Sequence, residues 1–240
     1  MGVMPIARGT LIAVSSGRKA LVTHGSRTIE TAFVKSPIDG PVNISTLGIE
    51  GDEHVYEHHG GPDMALLLYP FEHYSYWRDL GLALPAAGAM AENLTTQGVR
   101  ETEVAIGDFI TVGSAVLQVA QPRSPCFKLA ARFARKSLPV EMQTTGYTGY
   151  LVRVIEPGVC AAGDAVTCEK GPAVDRISIA DAGRILNVDR HDVEGAQRLL
   201  SVAELGETVR NTLRARVAAG GQLGEDVDRL YLDELSAVDD

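Results

Sequence analysis

The sequence predicts a mainly β protein, with a β-rich domain carrying a few helices over residues 1–170 and a small all-α domain of three short helices, ending in an acidic tail, over 171–240. Three observations predict this. Short β-branched runs recur through the first 170 residues, separated by turn signals such as Ile-Gly-Asp and Val-Gly-Ser. Glycine and proline are plentiful, at 25 and 11 residues. After Lys170 the pattern changes to helix-capping signals followed by apolar residues at helical spacing.

The elements follow in order. Gly9 to Val14, Ala105 to Val112 and Ala115 to Ala120 read as strands, with Ile106 through Val119 forming a hairpin that turns at Gly113-Ser114. Tyr150 to Ile155 and Ala165 to Cys168 add later strands. Two segments have helical periodicity, Pro70 to Leu80, where Phe71, Tyr74, Tyr76 and Trp77 are expected as packing residues, and Cys126 to Lys136. Gly171-Pro172 reads as a linker. Beyond it, Ser178 with Asp181 opens one helix, Asp189 caps a second that runs toward Leu200, and Ser201 with Glu204 forms a capping box for a third that ends before Gly220-Gly221.

Composition narrows the function. A chain of 240 residues that is 45% hydrophobic and 22% charged is an ordinary globular protein of one or two domains. No run approaches the roughly 18 apolar residues of a membrane span, and no basic-then-apolar leader opens the sequence, so a soluble, cytoplasmic protein is expected. Cys126, Cys160 and Cys168 are an odd set without the density of a disulfide framework, which favours reduced thiols. The net charge of −9 argues against nonspecific nucleic-acid binding, and much of it sits in the tail, where Glu225 to Asp240 hold seven acids against Arg229. The opposite bias appears at Arg123, Lys128, Arg132, Arg135 and Lys136, a stretch without an acid and a place to expect an anion.

Cys126, in Pro-Arg-Ser-Pro-Cys-Phe-Lys, is the strongest single candidate. With Ser124 as N-cap and Pro125 at the first helical position, Cys126 would occupy the first turn, where unpaired N–H groups favour a negative group. A thiolate there is both a nucleophile and a soft metal ligand. Buried hydrophobe is the alternative use of a cysteine, and Cys160 and Cys168, in strand-like contexts, keep it.

Two further clusters carry weaker signals. Gly51 to Asp63 holds His54, His58 and His59 among four acids, which suits a metal such as zinc, a polar loop, or a Gly60-Gly61-Pro62 bend whose backbone approaches a ligand closely. Glu92-Asn93 and Thr145-Gly-Tyr-Thr-Gly149 offer amide, hydroxyl and backbone donors that could hold a heterocycle edge or an oxyanion, or build plain turns.

Taken together, Gly51-Asp52-Glu53, His59-Gly-Gly-Pro-Asp63, Tyr69-Pro70, Glu92-Asn-Leu-Thr95, Ile106-Gly-Asp108, Gln121-Pro-Arg-Ser-Pro-Cys126, Lys128-Leu-Ala130, Thr148-Gly149 and Gly163-Asp164 resemble the MOSC domain family over roughly residues 9 to 168. The closest likeness is to its N-hydroxylaminopurine-resistance subgroup, in which a small helical domain follows. The resemblance implies a β-barrel-like fold binding a molybdopterin-type molybdenum cofactor, with Cys126 as the molybdenum ligand. It makes His59, Gly60, Gly61, Asn93, Arg123, Lys128, Thr148 and Gly149 candidates for holding the pterin or phosphate. Several positions depart from the subgroup pattern: Met90-Ala91 for Phe-Gly, Met64 and Tyr147 where cations are usual, and Phe127 for Trp.

The activity implied is reduction of N-hydroxylated bases or related N-oxygenated small molecules, with His59 or Glu92 as proton donor. No cysteine follows Cys168, so a separate flavin or iron–sulfur protein is the expected electron donor. A homodimer is compatible with this reading, and neither nucleic acid nor membrane is expected as a partner. The other readings are a cofactor carrier or sulfur-transfer module using Cys126, and a zinc hydrolase at His54 to His59.

Overall fold

The computed structural model describes residues 4–24, 27–53, 55 and 60–221. In chain order its strands and helices are β1 (Ala7–Ser16), β2 (Ala20–His24), β3 (Arg27–Thr31), β4 (Ser36–Pro37), β5 (Val42–Ser45), β6 (Gly48–Ile49), β7 (Leu66–Pro70), α1 (His73–Asp79), β8 (Leu94–Gln97), β9 (Phe109–Val112), β10 (Ala115–Pro122), α2 (Phe127–Phe133), α3 (Leu138–Thr145), β11 (Tyr150–Glu156), β12 (Gly158–Cys160), β13 (Ala165–Glu169), α4 (Ile179–Gly183), α5 (Val193–Ser201) and α6 (Glu207–Ala218).

Seven strands close into a barrel in the order β13-β9-β10-β11-β7-β8-β1, with β1 returning to β13. A closed ring with an odd number of strands cannot alternate direction throughout. The parallel pair falls between β7 and β8, with Leu68 opposite Leu94, and the other barrel pairs are antiparallel. Parallel neighbours need a long crossover rather than a hairpin, and residues 71–93, with α1, supply it. The expected hairpin forms with Val112 opposite Ala115 across Gly113-Ser114, and Gly113 takes φ +56 where a Cβ would lie 2.1 Å from the Val159 carbonyl oxygen. Register shifts in β10, between Val116 and Leu117 and between Val119 and Gln121, bend the strand around the barrel.

The barrel interior is filled by Leu11, Leu66, Leu68, Leu94, Ile110, Leu117, Val152 and Val166, and this core continues into Ile179, Ala182, Ile185, Leu199 and Leu213 of the helical module. A second core, under the crossover, packs Tyr69, Tyr74, Trp77, Met90, Leu129, Leu138 and Met142 together. Tyr74 and Trp77 are therefore buried packing residues with Phe71 against them, as expected, whereas Tyr76 is exposed; the helix starts at His73 because Pro70 still belongs to β7.

In the C-terminal module Ser178 caps α4 as expected, its hydroxyl accepting from the Asp181 N–H at 3.0 Å. The next two caps lie elsewhere. Asp192, not Asp189, caps α5 through the Gly195 N–H at 2.7 Å, since Asp189 is drawn to Arg184. Ser201 closes α5 by donating to the Arg198 carbonyl, and α6 starts after Gly206. Between α4 and α5, Arg184–Val188 forms a π-helical turn. Buried Arg216 of α6 donates to the Ile185 and Leu186 carbonyls at 2.6 and 2.7 Å, satisfying backbone acceptors in that turn.

Candidate functional site

Strand β10 ends at Pro122, opposite Tyr150, and delivers Arg123 to Cys126 to the barrel rim. Cys126 is half-buried and is itself the N-cap of α2, with extended backbone (φ −124, ψ 168). It thus lies one step outside the first turn expected for it, and α2 ends at Phe133 rather than Lys136 because Ala134 turns into the left-handed region at φ 48. Ser124 does not cap the helix; its hydroxyl donates to Asn187 Oδ1 at 3.1 Å. Burial pushes the Cys160 and Cys168 thiols up to about 11 and about 12, so both stay protonated and inert.

The acid-free basic stretch divides in two. Arg132 donates to the Gly88 carbonyl at 3.1 Å and lies over the Phe33 and Phe133 rings, while Arg135 pairs with Glu141 and donates to the Leu80 carbonyl. Those two cations stabilise the protein itself. Arg123 and Lys128 are buried close to Cys126 in sequence, at 7% and 5% exposure, and Arg123 faces the Phe33 ring at 6.0 Å.

Glu92 and Asn93 are committed to the fold. The Glu92 carboxylate has no exposure and accepts from the Gly88 and Met90 N–H groups (2.9 Å each), from Thr95 Oγ1 (2.8 Å) and from the Tyr74 hydroxyl. Burial and the Glu92 charge together push the Tyr74 phenol upward, so it remains the donor. A carboxylate surrounded in this way holds the crossover loop closed. Asn93 accepts from the Leu67 N–H and donates to the Ser15 carbonyl and to Asp52 Oδ2, tying β7 to β1. Asp52 also receives Lys35 Nζ at 2.5 Å and the Gly17 N–H at 2.8 Å. Asp52 of the Gly-Asp-Glu motif, Lys35 and Asn93 therefore form one clamp of largely buried side chains.

Thr148 and Gly149 lie beside Arg123, whose N–H donates to the Gly149 carbonyl at 3.2 Å. Gly149 has φ +75, and a Cβ there would lie 2.5 Å from the Leu68 carbonyl oxygen, so close packing demands glycine. Its N–H donates to Glu101, which also pairs with His73 at 2.8 Å in a buried setting. The Thr148 hydroxyl is buried and donates to the Gly149 carbonyl. Tyr147, standing where the resemblance expects a cation, stacks on the His73 ring at 3.8 Å and meets Tyr76 and Trp77 edge-on. His73, Glu101 and the Lys35–Asp52 pair had no local signal, because their partners lie 28 and 17 positions away.

Gly60 and Gly61 take φ +111 and +96 and lead into a single 3-10 turn at Pro62–Met64. Gly61, at ψ 173, occupies a region that is essentially glycine-only, and a Cβ built on it meets no atom within 4 Å. His54, His58 and His59 lie outside the described residues, and among the described residues no three His, Cys, Asp or Glu side chains gather as a metal site. A cavity of about 800 Å³ lined by Gly81, Leu82, Ala83, Pro85 and Arg132–Arg135 and another of about 420 Å³ between Pro172–Asp175 and Ser201–Glu204 do not include Cys126.

Two family models match the chain, the MOSC domain over residues 55–167 and the YiiM-like 3-alpha helix domain over residues 177–220. Protein YiiM of Escherichia coli (strain K12) is 40% identical over 194 residues, covering 79% of this chain and 86% of that protein. The chain belongs to the MOSC domain family. The crystal structure of YiiM from Geobacillus stearothermophilus matches this MOSC barrel and its helices with a TM-score of 0.73 at 29% identity, over 87% of this chain and 99% of that one. A protein named reductase from Gibberella moniliformis (strain M3125 / FGSC 7600) is 36% identical over 168 residues, 68% of this chain but only 30% of that larger protein. No helix of the described MOSC chain is long and apolar enough to cross a membrane.

Proposed function

We propose that this protein is a molybdenum-cofactor-dependent reductase of N-hydroxylated bases or related N-oxygenated compounds. The observation that carries the reading is the half-buried Cys126 thiol at the barrel rim, flanked in sequence by two buried cations, Arg123 and Lys128. A soft sulfur ligand with cations beside it fits an anionic metal–dithiolene group carrying a phosphate. The relative named reductase supports an enzymatic role of this class.

When bound, the molybdenum centre supplies two-electron removal of oxygen from the substrate nitrogen. The chain's own residues do the rest. Cys126 would hold the metal, Arg123 and Lys128 would offset the negative charge, and the Gly60-Gly61 backbone would approach the ligand, with no described atom within 4 Å of a Cβ built on Gly61. Thr148 and Gly149 build the neighbouring wall through their link to Arg123. Asn93 acts indirectly, by fixing the strands that carry the rim. With Glu92 enclosed, His59 is the remaining proton donor for the departing oxygen. Electrons would arrive from a separate flavin or iron–sulfur protein.

The test is turnover of an N-hydroxylated purine by the full chain, isolated from a molybdenum-replete host, with dithionite-reduced viologen as donor. Wild type should consume the dye in step with substrate and Cys126→Ser should not. Bound pterin without turnover would instead support a cofactor carrier.

A further inference from the structure

The C-terminal helices touch both loops that build the candidate site. From the Gly60–Met64 loop, Asp63 Oδ2 accepts the Glu207 N–H at 2.9 Å, at the start of α6, while Arg153 bridges Asp63 Oδ1 (2.8 Å) and the Glu204 carbonyl (2.8 Å). From the cysteine loop, Ser124 donates to Asn187 Oδ1. Asn187 sits in the π-helical turn Arg184–Val188, a rare backbone form found frequently at functional sites.

The other end of that carboxamide has no match. Asn187 Nδ2 is closed off from solvent and has no hydrogen-bond partner, whereas buried polar groups are nearly always paired. Flipping the carboxamide would only exchange which end is orphaned. An anionic ligand at the rim would select the orientation that presents the donor.

On the cofactor reading above, we infer that the helical module is part of the site and that Asn187 binds the ligand, its Nδ2 donating to an anionic oxygen of the pterin phosphate. The π-turn carries that donor to the rim, and the Ser124 contact sets its orientation. The three helices thus supply a binding residue that the barrel lacks.

The experiment compares wild type, Asn187→Asp, Asn187→Ala and Ser124→Ala as full chains, with thermal midpoints confirming folding. Pterin per chain should fall at least tenfold in Asn187→Asp, about fivefold in Asn187→Ala, and less than twofold in Ser124→Ala, which keeps Nδ2. Independently, on chains stripped of cofactor, inorganic phosphate should slow iodoacetamide alkylation of Cys126 in wild type and not in Asn187→Asp. Wild type without pterin, but with phosphate protection that Asn187→Asp loses, would defeat the molybdenum reading and keep the Asn187 assignment. Equal alkylation rates in the two proteins, whether protected or not, would overturn it.

Discussion

Replacing Glu92 with glutamine separates a structural carboxylate from a catalytic one. Oε1 receives the Tyr74 hydroxyl, the Gly88 N–H and Thr95 Oγ1, and Oε2 receives the Met90 N–H. Glutamine keeps the shape but puts an NH₂ where one oxygen stands. Placed at Oε2, that NH₂ faces the Met90 N–H, leaving two buried donors opposed; the other three bonds lose their charge assistance. Losing one hydrogen bond to a charged group costs about 1.5–3 kcal/mol, so a total of about 2–4 kcal/mol is expected. For a chain of this size that lowers Tm by roughly 5–15 °C. Differential scanning calorimetry reads the shift, and pterin content per folded chain should stay at the wild-type level. A Tm within about 2 °C of wild type combined with abolished turnover would refute the reasoning and restore Glu92 as a proton donor.

Other outcomes follow from the same geometry. Ala91 has φ 66, a left-handed conformation costing a non-glycine residue about 1–2 kcal/mol; Ala91→Gly should therefore be neutral or raise Tm, and Ala91→Val should lower it, as thermal melts would show. Native protein should show one fast thiol toward a chromogenic disulfide reagent and denatured protein three, because burial raises the Cys160 and Cys168 thiols; a second fast thiol contradicts this. Asp63 has a lowered pKa: burial acts upward but is outweighed by the Glu207 N–H and Arg153. Its contribution is therefore present above the ordinary carboxylate value of 3.8 and lost as pH falls through its lower folded value. Acid melts should show that loss in wild type and a smaller one in Asp63→Asn.

Much of the fold was legible because its signals are local. Alternating β-branched runs marked the strands of the hairpin and β11, and Gly113-Ser114 marked its turn. Ser178 with Asp181 gave a true cap. Caps failed where other partners took the same side chains: Asp189 went to Arg184, five positions away, and Ser124 to Asn187 across 63 positions. The parallel β7–β8 pair follows from closing seven strands, a constraint no window of sequence displays. At the site, Cys126 stood out through its prolines and basic neighbours. Glu92 and Asn93 were equally visible as polar residues, but only the folded chain shows that their hydrogen bonds are spent on Gly88, Met90, Leu67 and Ser15.

The central claim is that Cys126 holds molybdenum in this chain. Metal analysis and pterin fluorescence on protein from a molybdenum-replete host should give molybdenum and pterin in equal amounts in wild type, with molybdenum lost in Cys126→Ser. Molybdenum that survives the substitution, or stoichiometric zinc without pterin in wild type, would contradict the account.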